Sequence, residues 1–198
     1  IANQDNRDTV RERFDVADDG SLTKNLFLDS GSVTEERIVR GSYTMDIFER
    51  QDIEFGAERA QTTLASNLAL GTDGTGTPSA DFGGLVPVTV SNANSTVEEI
   101  RYEPFIIHNW IFNPRMSLES TLLYEFSEIT QSGDISNKRD FDFIKPKLDF
   151  RYDLTSTLQL RALIEKQVRQ LSFSDFVAAT DSQDEDSNTI AGNANLTQ

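Results

Sequence analysis

The sequence predicts an all-β protein, an antiparallel transmembrane β-barrel wall that is a fragment of a larger barrel. Three observations carry this. Seven stretches alternate with a side-chain period of two, the signature of a strand. In the clearest of them an apolar row stands against a row of full charges, an arrangement that fits an apolar outside and a wet bore. Connections between stretches read alternately short and long, as in barrels with brief periplasmic turns and extended external loops.

Taken in order, residues 7-16 form the first expected strand, with Val10, Phe14 and Val16 on one side. Asp18-Asp19-Gly20 reads as a turn, and the polar stretch 17-37 as a long external loop broken by Leu26 to Leu28. The strand at 38-48 sets Val39, Tyr43, Met45 and Ile47 against Arg40, Ser42, Thr44 and Asp46. After the turn Glu49-Arg50-Gln51, the return strand 52-64 sets Ile53, Phe55 and Ala57 against Glu54 and Glu58. Its apolar phase then slips to Leu64, Leu68 and Leu70, which predicts either a bulge near Ala60 to Thr63 or the point where the strand leaves the membrane.

Residues 70-96, rich in Gly, Thr, Ser, Asn and Asp, read as a second long loop with a short strand at Leu85 to Val90. The strand 97-112 carries Ile100, Tyr102, Ile106, Trp110 and Phe112 opposite Glu99, Arg101, Glu103 and Asn109. Asn113-Pro114-Arg115 reverses the chain into 116-129, where Met116, Leu118, Leu122, Tyr124 and Phe126 alternate with Ser117, Glu119, Thr121, Glu125 and Ser127. A third loop, 130-139, leads to the clearest hairpin. In 140-152, Ile144, Pro146, Leu148, Phe150 and Tyr152 oppose Lys145, Lys147, Asp149 and Arg151. In 158-171, Leu158, Leu160, Ala162, Ile164 and Val168 oppose Gln159, Arg161, Glu165, Gln167 and Arg169. A strand of about 9 to 11 residues, tilted, crosses a bilayer. The polar stretch 172-195 reads as a fourth external loop. Pro104 and Pro146 remove ladder donors and predict local bulges. Tyr43, Phe48, Trp110, Phe112 and Tyr152 lie near the expected periplasmic turns and read as an interfacial girdle.

Composition narrows the function classes. The chain has 198 residues, 37% of them hydrophobic, a net charge of −15 and a mean hydropathy of −0.44. A soluble acidic domain and a barrel wall both have such values, so composition does not separate them. No run of about 18 apolar residues occurs, which excludes a transmembrane helix. The absence of cysteine removes disulfides and thiolate metal sites. Acidity argues against a nucleic-acid partner, because phosphates need a basic patch. The opening Ile1-Ala2-Asn3-Gln4-Asp5 lacks a basic and apolar start, so the chain reads as a mature or internal piece.

Arg169-Gln170-Leu171-Ser172-Phe173-Ser174-Asp175-Phe176, followed by Ala191-Gly192-Asn193-Ala194-Asn195-Leu196, resembles the late barrel of TonB-dependent outer-membrane receptors. Arg161, the segment from Lys166 to Arg169 and the pair Phe173 and Phe176 fit that pattern. The resemblance implies a 22-stranded barrel plugged by an N-terminal domain. It further implies uptake of a scarce ligand (an iron chelate, a vitamin or an oligosaccharide) driven by a TonB-type energy-coupling protein at the outer membrane of a Gram-negative bacterium. Neither a plug domain nor a TonB-interacting box is visible here. Seven strands leave an open edge in hydrocarbon, which costs several kcal/mol per unpaired group. The partners expected are therefore outer-membrane lipid, a plug domain and the remaining barrel of the same polypeptide.

No catalytic, cofactor-binding or metal-binding residue is assigned, and ligand-binding residues are not readable. His108 is the only histidine, too few for a triad or a His-only metal site. Asp181-Ser182-Gln183-Asp184-Glu185-Asp186 is oxygen-rich but lacks EF-hand spacing, and reads as a solvated loop. Glu119 with Glu125, and Glu54 with Glu58, would form a catalytic pair only across a cleft of about 5 to 9.5 Å. As bore residues they are expected to pair with Arg101, Lys145, Arg151 or Arg161 on neighbouring strands. No nucleophile, base and orienting group assemble, so an enzyme is not expected. Two alternatives stand beside the receptor: a passive outer-membrane channel, and a soluble secreted β-sandwich module for binding or adhesion.

Overall fold

A computed structural model describes residues 1-168, 179-180 and 189-190. The described residues build one antiparallel sheet of eight strands. The strands are β1 Ala2–Val16, β2 Leu22–Phe48, β3 Gln51–Thr72, β4 Val86–Val88, β5 Asn94–Asn113, β6 Met116–Gly133, β7 Asn137–Asp153 and β8 Gln159–Glu165. Their order is β1-β2-β3-β5-β6-β7-β8, an up-and-down meander, with the short β4 pairing to the end of β3. β1 and β8 do not pair with each other, so the sheet is open. A separate two-residue ladder joins β9 Ala179–Thr180 to β10 Thr189–Ile190. The segments that carry the family resemblance, and the acidic run from Asp181 to Asp186, lie outside the described residues.

Cross-strand register sorts the side chains into two faces. One rung runs Tyr43, Phe55, Ile106, Leu122, Pro146, and the next toward the hairpin turns runs Met45, Ile53, His108, Ser120, Leu148, Ile164. On the opposite face, rungs such as Arg40, Glu58, Glu103 are charged. The two faces differ in burial, although no second sheet among the described residues packs on either. Glu125 is 1% exposed and Ile129 4%, while Tyr124 and Phe126 on the other face are 40% and 42% exposed. A sheet that bends toward one face crowds the side chains there and splays those on the other. We call the crowded face inner and the splayed one outer.

Several expected loops are strand instead. Residues 17-37 do not form a long loop: the reversal is complete by Ser21, and Leu22 to Arg37 is ladder, paired with β1 on one side and, from Leu26, with β3 on the other. Likewise 130-139 shrinks to a turn at 134-136, because Gln131 already pairs with Asn137 and Thr130 with Lys138. Apart from Leu26 to Leu28, both stretches are largely polar on both faces, so the period-two signal is short or missing, yet the backbone ladder does not depend on side-chain polarity. The alternation of short and long connections therefore fails. Residues 73-93, which contain the 3-10 turn Ala80–Phe82 and β4, form the one long connection among the described residues. β1 starts at Ala2 rather than 7, and β8 ends at Glu165, leaving Val168 outside it.

The expected bulges are also absent. β3 keeps one register with β2 and β5 through Ala60 to Thr63. The apolar phase slips there because the apolar residues change face. Phe55 and Ala57 lie on the outer face, whereas Leu64, Leu68 and Leu70 lie on the inner one. The ladder between β5 and β6 lapses at Glu103 and Pro104 and resumes at Phe105 opposite Leu123 in the same register, and Pro146 pairs with Leu122 without a shift. A missing N–H costs a ladder bond but need not insert a residue.

The inner core sits in the half of the sheet away from the turns at 49-50, 114-115 and 154-158. Leu28 and Leu68 are buried together, with Leu70, Val90 and Ala93 packed on them. The end of the 73-93 connection thus folds onto the inner face. Gln131 on β6 holds it there, its Nε2 donating to Asn92 Oδ1 at 3.2 Å and to Ser95 Oγ at 3.0 Å.

Candidate functional site: the charged inner face

Toward the turns, the inner face is a lattice of ion pairs that runs across the strands. Arg40 and Arg101 both reach Glu58 at 3.9 Å. Arg101 lies 3.7 Å from Glu103, and Lys145 lies 3.8 Å from the same carboxylate while donating to Glu125. Nearer the turns, Lys147 donates to Glu119 at 2.8 Å and Arg161 forks onto both oxygens of Asp149. Arg151 pairs with Asp153 at 3.3 Å, and Asn109 donates to Asp52 at 2.9 Å. These groups border an open groove of about 620 Å³ at the turn end of the face.

Local sequence explains why the lattice closes. Period-two charge on β7 puts Lys145, Lys147, Asp149 and Arg151 on one face, and the charges on β6 and β8 fall opposite them. Arg151 faces Arg161 directly, a like-charge contact that would destabilise the sheet. Each guanidinium turns to a diagonal or adjacent carboxylate instead, which removes the conflict.

Arg101 and Lys145 serve Glu58 and Glu125, as expected. Arg151 and Arg161 choose Asp153 and Asp149 rather than any glutamate, and Glu119 takes Lys147. The signal for Lys147 was its place on the charged row of β7, with Glu119 on the facing row of β6. Glu119 and Glu125 are six residues apart along one strand, about 20 Å, and Glu54 and Glu58 about 13 Å. Neither spacing suits a pair acting on one bond. His108 lies on the outer face, its Nε2 3.0 Å from Gln51 Oε1. Among the described residues no group of three His, Cys, Asp or Glu side chains is placed to hold a metal ion. The arrangement offers a dense, mutually compensated set of donors and acceptors, suited to holding a polar surface or a hydrated solute.

Sequence reasoning missed one feature of this face. Gly56 on β3 is paired with Ser42 on β2 and with Phe105 on β5, and the Phe105 ring lies against it. The Arg40 guanidinium sits 4.5 Å from the Phe105 ring centroid. An aromatic ring over a strand glycine covers backbone that the missing side chain would leave bare. A glycine and an aromatic residue on strands separated by a long connection carry no readable sign that they will meet.

The outer face complements this one. From Val39 on β2 to Ile164 on β8, its turn-proximal half is apolar and largely exposed. Aromatic rings border the band on both sides. Near the turns, Trp110 and Phe112 pack with centroids 4.0 Å apart, with Tyr152 at the same end. At the far border Tyr102 stacks on Phe126 at 5.0 Å. Tyr43, expected among the turn-side aromatics, lies mid-band opposite Phe55, because the turn is several rungs further on. Beyond Tyr102 and Phe126 the outer face turns polar, with Arg37, Gln61, Glu98, Glu128 and Asp140.

No family model, no curated protein and no solved structure matches the chain.

Proposed function

We infer that the chain is part of the wall of an outer-membrane β-barrel, and that this barrel is a TonB-dependent receptor. The observation that carries the membrane reading is the height of the apolar band. Tyr102 to Phe112 spans ten residue steps, about 33 Å of strand. At a tilt of about 40° that is about 25 Å, the height of the lipid-facing band of such barrels. A sandwich core would need a second layer over these residues, and none covers them among the described residues.

On this reading the ion-pair lattice faces the bore and contacts a plug domain or a hydrated ligand. The polar continuation of the strands stands outside the membrane. β2 alone runs about 50 Å beyond the band, from Ile38 back to Leu22. The TonB-dependent assignment rests on the resemblance of Arg169 to Phe176 and Ala191 to Leu196. The cargo would be a scarce iron chelate, vitamin or oligosaccharide, and the remaining barrel and plug would come from the same polypeptide.

Spin labels at Leu148, Phe150 and Leu160, with Lys147 and Arg161 as counterparts, test the membrane reading. Oxygen accessibility typical of acyl chains is expected at the first three, and accessibility to a polar relaxation agent at the other two. Water at Leu148 and Leu160 would refute it. Ligand uptake that stops when the energy-coupling protein is deleted would separate a receptor from a passive channel, which would conduct regardless.

A further inference from the structure

Residues 89-93, Thr-Val-Ser-Asn-Ala, join β4 to β5 outside any ladder and lie over the inner face. The chain is fixed on either side of them. Before them, β4 pairs with β3 from Val86 opposite Thr72 to Val88 opposite Leu70, and Lys24 clamps the earlier connection by donating to the Gly83 carbonyl at 3.1 Å. After them, the Asn94 N–H donates to Asp134 Oδ2 at 2.9 Å, and the Asp134 N–H donates back to the Asn94 carbonyl at 2.9 Å. Two kinds of contact hold the segment down. Val90 and Ala93 pack on Leu28 and Leu68, and the Gln131 Nε2 donates to Asn92 Oδ1.

These contacts work against the backbone. Asn92 has a φ of 64°, in the left-handed region that residues other than glycine seldom occupy. Asparagine bears that conformation better than most residues, at a cost that the surroundings must offset. Here the offset comes from burial, since Asn92 and Gln131 are each 2% exposed, and from a bond between two neutral amides. Under the segment Leu28 and Leu68 are 4% and 7% exposed, while Thr89 and Ser91 on it face water.

We infer that residues 89-93 form a flap that exchanges between this latched position and a released one, pivoting at Val88 and Asn94. Release leaves the sheet intact, because no flap residue belongs to a ladder. It trades the polar surface of Thr89 and Ser91 for the apolar surface of Leu28 and Leu68. If the inner face lines a bore, the flap sets whether the wall there is polar or greasy. The flap itself does not depend on that reading.

The chain has no cysteine, so single introduced thiols report cleanly. The full chain in phosphatidylcholine nanodiscs carries Leu68→Cys under the flap, or Ala60→Cys, 4% exposed on the same face but outside the Leu28 and Leu68 cluster. Both are treated with a water-soluble maleimide. Gln131→Ala should quicken modification at position 68 about tenfold or more, the shift expected when neutral hydrogen bonds are lost from the latched state alone. Asn92→Ala, which removes the acceptor and makes left-handed backbone costlier, should quicken it at least as much. Leu28→Cys should repeat the result, and the thiol at position 60 should keep its rate throughout. A rate at positions 68 and 28 that neither substitution moves makes the segment fixed packing and overturns the proposal. Acceleration at position 60 in step with them also overturns it, because the sheet is then opening as a whole. A spin label at Leu148 that reports water ends the membrane reading and leaves the thiol result standing.

Discussion

Lys145 on β7 donates to Glu125 on β6 across a diagonal of the inner face, and Glu125 is 1% exposed although no layer among the described residues packs over it. Glu103 stands on the other side of the same ammonium at 3.8 Å. One cation thus serves two carboxylates that the curvature of the sheet has crowded together. Removing the ammonium leaves Glu125 buried with its main partner gone. Lys145→Met is expected to cost about 2 to 3 kcal/mol. The double variant K145M/E125Q should cost less than K145M alone, because the orphaned charge goes with it. Denaturant unfolding of the folded protein in lipid measures both.

The two faces should respond oppositely to a new charge. On the proposed membrane reading, Leu148→Arg places a cation mid-band on the outer face and is expected to cost about 2 to 4 kcal/mol, as a cation does on a lipid-exposed strand near the bilayer centre. Thr44→Arg places one on the inner face directly opposite Glu54, where the change should stay within about 0.5 kcal/mol. Folding equilibria into vesicles distinguish the two.

Gly41, paired with Ala57, and Gly56, paired with Ser42, sit on neighbouring rungs and differ in what they tolerate. A Cβ at Gly56 would sit 2.4 Å from the Gly41 carbonyl oxygen and 2.7 Å from Phe105 Cζ, whereas a Cβ at Gly41 meets nothing within 4 Å. Gly56→Ala is expected to destabilise by about 1 to 3 kcal/mol as the backbone and ring shift. Gly41→Ala should be neutral or slightly stabilising, since it narrows the unfolded ensemble. Thermal unfolding of the two variants side by side reads the difference.

The connection 73-93 is held to the inner face by Gln131 and by the apolar contacts of Val90 and Ala93. Gln131→Ala removes the side-chain bonds to Asn92 and Ser95 and should release the end of the connection without unfolding the sheet. Faster proteolysis within 73-93, with the strands left intact, is the expected result. An unchanged cleavage rate would show that the apolar contacts suffice.

Asp19, in the turn between β1 and β2, accepts from the Ser21 backbone N–H at 2.9 Å. Bonding to the Ser21 side chain and backbone holds its carboxyl below the usual carboxylate range. A folded-state value below the unfolded one means the contribution is present at neutral pH and fades as the pH falls through the folded value. The protection of the Ser21 and Leu22 amides, their exchange rate taken relative to the intrinsic rate at each pH, should therefore fall on acidification in the native chain, and Asp19→Ala should remove that pH dependence of protection.

What the sequence determined by itself is face membership. Wherever one face is greasy and the other charged, as in Leu148 and Phe150 against Lys147 and Asp149, period two assigns every side chain, and the turns at 49-50 and 114-115 follow from the breaks between runs. Only the tertiary structure decided that 22-37 and 130-133 are strand, that the apolar residues of β3 change face beyond Ala57, and that Arg161 goes to Asp149 while Lys147 goes to Glu119. The physical reason is the same each time. Side-chain periodicity exists only where the two sides of a strand meet different surroundings. A ladder whose side chains are mostly polar on both sides is held by backbone hydrogen bonds that leave little mark on residue choice, and partner selection among like-charged neighbours depends on register, which is a property of two strands and is written in neither.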